Sequence, residues 1–248
     1  MNDFAWLYDW PQYIPDLLPG LWVAIAMTCV SCLFGYVLGF FLALLVEAPS
    51  KLVSYSALVV VELGRGIPIL VLLFLFYQGL PQLGVLLAPY PAAVAALTFS
   101  AAGYSSEMIR AGLGAVPKGQ SEAANSLSMS VVDTYRFIVI PQAARISIPP
   151  LVNLTIIIFQ ATSLATVITV PEIMQQAGII GSATFEYMSV YTAAAVLYLC
   201  ITIPGAALSG YLEERMGTPK QRSKKQAIKA LLPAAGKLRT AEERQLTN

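Results

Sequence analysis

Histidine is absent from this chain, and acids and bases together make up only 12% of it. A soluble domain carries roughly 25% charged residues, so composition already excludes an ordinary water-exposed fold. The missing histidines also remove the usual general base near neutral pH and the commonest metal ligand. Cysteine is scarce: Cys29, Cys32 and Cys200 all lie within apolar runs. The Cys29-x-x-Cys32 spacing has neither a second pair nor a histidine to complete a zinc or redox centre, so it reads as packing or lipid-facing thiols. No Gly-x-x-x-x-Gly-Lys-Ser/Thr run occurs, which excludes a nucleotide-phosphate loop. A net charge of +1, with no basic patch interleaved with aromatics, excludes a nucleic-acid reader. Met1–Asp9 lacks the basic n-region of a secretory signal. No catalytic set, metal or cofactor is expected.

What the chain has instead is apolar length, 57% of it hydrophobic. A bilayer crossing needs about 20 predominantly apolar residues, and five segments qualify: Leu21–Val46, Tyr55–Tyr77, Ala92–Leu113, Pro149–Val170 and Tyr187–Tyr211. These predict an all-α, polytopic membrane protein with about five transmembrane helices. The organisation is an N-terminal segment (1–20), a membrane domain (21–216) with a polar elbow at about 117–141, and a basic tail (217–248). All 15 basic residues fall on one side of such a membrane or close to it. The opposite loops carry Asp3, Asp9, Asp16, Glu172 and Glu186. Positive charge stays inside, so the N-terminus is expected outside and the elbow and tail in the cytoplasm. Trp6, Tyr8, Trp10, Tyr13, Trp22, Tyr90 and Tyr187 then border the outer interface, where amphipathic rings prefer to sit. In the tail, Lys220, Arg222, Lys224, Lys225 and Lys229 suit anionic lipid.

In the elbow, Pro117 and Gly119 break the third helix. Glu122 then opens a moderately amphipathic stretch, Ala123–Phe137, near the positive end of its dipole, and Pro141 closes the unit. Such a helix suits either the bilayer surface or a groove in a soluble partner.

The residues here carry a resemblance. Glu122-Ala123-Ala124, a small residue (Ser128) four positions on, and Ile138-Val139-Ile140-Pro141 resemble the EAA loop of bacterial ABC importer permeases, with Ser128 at the usual Gly and Ile140 at the usual Leu. Arg65-Gly66-Ile67-Pro68, Tyr104 to Gly112, Val116 to Gln120, Pro141-Gln142-Ala143 and Thr162-Ser163-Leu164 are similar to the polar amino-acid uptake branch. The resemblance runs from about Gly20 to Gly217. It implies a type I ABC importer permease fold in the bacterial inner membrane. It also implies a second permease subunit as homo- or heterodimer, two cytoplasmic ABC ATPase subunits, a periplasmic or lipid-tethered binding protein and an amino-acid substrate. On that model Gly119, Gln120, Glu122, Ala123, Ala124, Ser128, Ile138 and Pro141 form the ATPase-coupling element, with Gly119 permitting the bend.

Polar residues inside a membrane are functional suspects. Asn153, Gln160, Thr162 and Ser163 are candidates for the substrate path, although Ser, Thr, Asn and Gln also bond helix to helix. The resemblance implies an acid before Thr-Ser-Leu in many relatives, and another just after the Asn in some that handle cationic amino acids, where this chain has Ala161 and Leu154. An unpaired buried cation is costly. The substrate is therefore expected to be acidic, neutral polar or a conjugated amino acid, unless a partner subunit holds the site for a cationic one. Glu62 with Arg65, and Glu107 with Arg110, are spaced to pair near the cytoplasmic ends of their helices. An intramembrane enzyme lacks a base, and a stand-alone secondary transporter lacks a mid-membrane relay and inverted halves.

Overall fold

The computed structural model describes residues 6–216, and the basic tail lies outside them. A short α1 (Trp6–Asp9) and a 3₁₀ turn (Trp10–Tyr13) lead into α2 (Ile14–Val46). Next come α3 (Lys51–Gly66) and α4 (Ile69–Phe74), the latter prolonged by a π turn (Leu75–Gly79) and a 3₁₀ turn (Leu80–Leu83). After α5 (Pro89–Gly114) the elbow holds α6 (Lys118–Ser126) and α7 (Val131–Thr134). A π turn (Tyr135–Val139) joins α7 to α8 (Ile140–Ala161), followed by a 3₁₀ segment (Thr162–Ile168), α9 (Ile173–Thr184) and α10 (Tyr187–Met216). No strand occurs among the described residues.

Three continuous helical stretches are long and apolar enough to cross a membrane: Trp10–Val46, Val131–Ile168 and Tyr187–Met216. The second expected span is a broken pair rather than one helix, bent by 104° between Gly66 and Ile69. Pro68 causes the break, since it has no N–H and drives Ile67 to an extended conformation (φ −83°, ψ 125°). The expected third span, α5, is long enough at 26 residues but too rich in Ala, Gly, Ser and charge to qualify by apolarity. Its position explains this. It packs against α2, α3, α4 and α8, so much of its surface meets protein rather than lipid.

The main core gathers Met27, Leu72, Leu73, Ala92, Ala93, Ala96, Leu97, Leu154, Ile158 and Ile168. The expected outer loop 171–186 is also different: α9 buries Ile173, Ala177 and Gly181 against α2 and α10. Tyr13 is buried, donating to the Glu186 carboxylate at 2.7 Å, so this ring works as a tie rather than as an interfacial anchor. Trp22, 68% exposed, keeps the outward position expected of an anchor.

Candidate functional site

The elbow is two helices with a rigid turn, not one stretch from Ala123 to Phe137. Helix α6 ends in a Schellman arrangement: Met129 N–H donates to Ala124 O at 3.1 Å and Ser128 N–H to Asn125 O at 2.9 Å. That geometry puts Ser128 in the left-handed region, φ 58°, where glycine is at ease and a side chain costs roughly 1 kcal/mol. The departure from Gly at this position is thus a departure at the one residue whose backbone asks for it. Ser128→Gly should tighten the turn by about that amount, slowing proteolytic nicking between Ser126 and Ser130 by about fivefold. Unchanged cleavage would show the turn to be unstrained. On the other side, Ser130 caps α7, its Oγ accepting from Asp133 N–H at 3.1 Å and donating to the Asp133 carboxylate at 2.7 Å.

The expected coupling residues divide into two sets. Gly119, Gln120, Glu122, Ala123 and Ser128 are exposed, and Ile138 is half-buried. Ala124 is buried at 1% exposure, because consecutive helical residues point about 100° apart and this one turns inward. Its small side chain serves the elbow's own packing. Glu122 is the fifth residue of α6, in mid-helix rather than at its positive end. The chain turns at Ala115–Pro117, so the bend does not rest on Gly119, whose Cβ position meets nothing within 4 Å. Pro141 does not close the elbow; it lies inside the continuous helical stretch, two residues after the π turn that joins α7 to α8. Gln142 donates to Gln120 at 3.3 Å across the elbow's base.

Above the elbow the two expected ion pairs form and join into one network. Arg65 reaches Glu62 (3.5 Å) and Glu107 (3.2 Å), and Arg110 reaches Glu107 (3.2 Å) and Glu47 (2.9 Å). Five charges thereby strap the ends of α2, α3 and α5 together, and Tyr104 adds a bond to Arg65 O.

The candidate path residues are not gathered into one pocket. Asn153 is exposed and opens into a cleft of about 570 Å³ between α5, α8 and α10, beside Met108, Pro149, Ser209 and Glu213. Gln160 is exposed seven residues on, hence on nearly the same flank. Half-buried Ser163 donates to Gln160 O at 2.7 Å. Thr162 is separated from these three: it is fully buried and bonds Phe159 O at 2.7 Å. Thr155 pairs with Tyr36 of α2 at 2.7 Å, a helix-to-helix bond.

One group escaped the sequence reading. Glu172, expected in an outer loop, is fully buried. It meets Tyr198, eleven residues along α10 from Tyr187, about 16 Å from that helix's start. A carboxylate therefore does lie deep in the bundle. Only its place at a helix start, Pro171-Glu172 ahead of Ile173, hinted at a cap.

A family described as "Binding-protein-dependent transport system inner membrane component" matches residues 35–218. The chain is 35% identical to the probable amino-acid ABC transporter permease protein YckA of Bacillus subtilis (strain 168), over 87% of this chain and 97% of that one. It is 36% identical to the L-cystine transport system permease protein TcyB of the same organism, over 83% and 88%. A crystal structure of an amino acid ABC transporter with histidines superposes with a TM-score of 0.78 at 34% identity, covering 82% of this chain and 95% of that chain.

Proposed function

The chain belongs to the family of binding-protein-dependent transport system inner membrane components, and from that membership we propose that it forms one half of the translocation path of an ATP-driven amino-acid importer. It is a permease subunit of an amino-acid ABC transporter, with the all-α type I importer fold. Two such halves, identical or related, would sit on two cytoplasmic ATPase subunits, with a binding protein delivering the amino acid from outside. The N-terminus faces out and the elbow faces in, as the placement of Lys and Arg favours.

The observation that carries the coupling role is the reach of the Val131–Ile168 rod. Its 38 residues extend about 57 Å, against roughly 30 Å of hydrocarbon. The Ile168 end is buried beside Met27 and Leu72 inside the bundle, so the surplus projects at the Val131 end. There Leu127, Val131 and Val132 are 76%, 70% and 72% exposed. Apolar side chains left exposed together at the end of so long a rod suit a contact with a protein partner. With Glu122 and Ala123 exposed beside them, they form a surface for the ATPase.

The substrate reading follows from α8. Asn153, Gln160 and Ser163 offer amides and a hydroxyl without formal charge. Leu154 belongs to the core and Ala161 packs against it, so neither family acid position supplies a carboxylate. This favours an acidic, neutral polar or conjugated amino acid.

Reconstitution of the permease with its ATPase and binding protein in proteoliposomes is the direct test. Uptake should require all components and ATP. Uptake by this chain alone, driven by a proton or sodium gradient, would overturn the proposal.

A further inference from the structure

We infer that Glu172 is a positioning residue of the transport cycle, its carboxylate locking α9 to α10 and thereby fixing the Thr162–Ile168 segment that carries Ser163. The inference rests on the reading of Gln160–Ser163 as part of the substrate path. Glu172 is 0% exposed. Its Oε1 accepts from Gln175 N–H at 2.9 Å, and its Oε2 from Met174 N–H at 2.8 Å and from the Tyr198 hydroxyl at 3.1 Å. The first two are orphan donors of the α9 start, where negative charge is also favoured by the helix dipole. A serine would satisfy that cap at a far smaller desolvation cost. What only a carboxylate does here is accept on both oxygens, from two N–H groups at the start of α9 and from a side chain of α10 at the same time.

The tie continues into a closed circuit. The Tyr198 ring packs on Phe159 with centroids 5.3 Å apart. Phe159 O accepts from Thr162, and Gln160 O accepts from Ser163. Thr166 in turn donates to the Gln175 side chain at 2.7 Å. From Glu172 the circuit therefore runs through Tyr198 and Phe159 to Thr162, and back through Thr166 and Gln175. The segment it encloses is 3₁₀ rather than α, a conformation that marks hinges in long helices. It ends at Thr169 in the left-handed region, φ 63°. The backbone of α2 closes the back of the latch: a Cβ on Gly20 would lie 2.7 Å from Glu172 C. Glu172 is the one carboxylate in this circuit, so its loss should loosen the segment without emptying a cavity.

The test is Glu172→Gln in the full complex, which keeps the volume but turns an NH₂ toward a donor. With binding protein saturating, uptake per ATP hydrolysed should fall about tenfold, as expected for losing hydrogen bonds to a charged group. Tyr198→Phe should lower it about fivefold, and Glu172→Asp should restore part of the loss. The ratio is insensitive to the amount of folded protein, so a cap that merely stabilises would leave it unchanged, and that result overturns the inference. A second readout does not need transport. In complexes with Cys29, Cys32 and Cys200 replaced by Ala, Ser163→Cys should react with a soluble maleimide about tenfold faster when Glu172→Gln is added. Equal rates overturn the inference. A wild-type complex that moves no amino acid overturns the function proposed above, and the labelling rates still decide this one.

Discussion

Gly39→Val should lower recovery of folded permease severalfold. Helices α2 and α5 form the most extensive pair in the bundle, and Gly35 and Gly39 are where their backbones meet. A Cβ on Gly39 would run into Ser105 Oγ and lie 2.8 Å from Ala102 O and 3.0 Å from Ser106 N. The serine could rotate; the two backbone atoms cannot without shifting α5. Gly35 is similarly enclosed, its Cβ position 2.6 Å from Ala101 Cβ. Overpacking of this kind costs about 1–3 kcal/mol or more, and valine adds two methyls beyond the Cβ. The shift would also disturb Ser105, which bonds Gly35 O at 3.2 Å, and the Arg65–Glu107–Arg110 network lower on α5. Against a total stability of about 5–15 kcal/mol this is a large share, so the monodisperse fraction of the complex after detergent extraction, measured by size exclusion, should fall severalfold. Gly178→Val, where a Cβ meets nothing within 4 Å, is the matched control and should extract normally. Equal yields would mean that α2 and α5 can separate at little cost.

The sequence reading took Leu21–Val46 as a plain apolar span and singled out neither Gly35 nor Gly39, because what makes them matter is the partner helix, which lies about 65 residues on and which spacing does not name. The same limit runs through the rest. The run Ala92–Leu113 announced a helix there, but not that α5, with its serines and charges, packs against four other helices rather than mainly facing lipid. The expected span Tyr55–Tyr77 ran straight through Pro68, and the 104° angle there depends on how α4 docks into the core beside Leu154 and Ile168. At the elbow, the motif spacing located the ATPase-facing candidates, and the resemblance singled out position 128 without its reason, a left-handed C-terminal cap. Side-chain direction on α6 depends on the helix's actual start, Lys118, so Ala124 could not be separated from Glu122 and Ala123 beforehand. Glu172 was the least legible. A carboxylate between two apolar runs looks like a loop residue until Tyr198, 26 residues later, is seen to receive it.

Glu122→Lys should reduce ATP-driven uptake at least about tenfold while leaving the subunit folded and inserted. The side chain is exposed on α6 and makes no hydrogen bond among the described residues, its backbone carbonyl alone accepting from Ser126. Exposed substitutions of this sort change stability by about 0.5 kcal/mol or less. Any large effect must therefore come from a partner absent from the chain itself. An exposed acid flanked by Ala123, on a helix closed by the Schellman turn, can approach a basic groove closely. Breaking a desolvated charge pair at such an interface costs about 2–5 kcal/mol, enough for the tenfold loss or more, and reversal adds repulsion. Two measurements separate the outcomes: uptake in proteoliposomes, and retention of the ATPase on the purified permease. Loss of uptake with the ATPase retained means that force transmission fails, and loss of both means that docking fails. Wild-type uptake would mean that the ATPase reads Leu127, Val131 and Val132 alone, and the acid would have no coupling role.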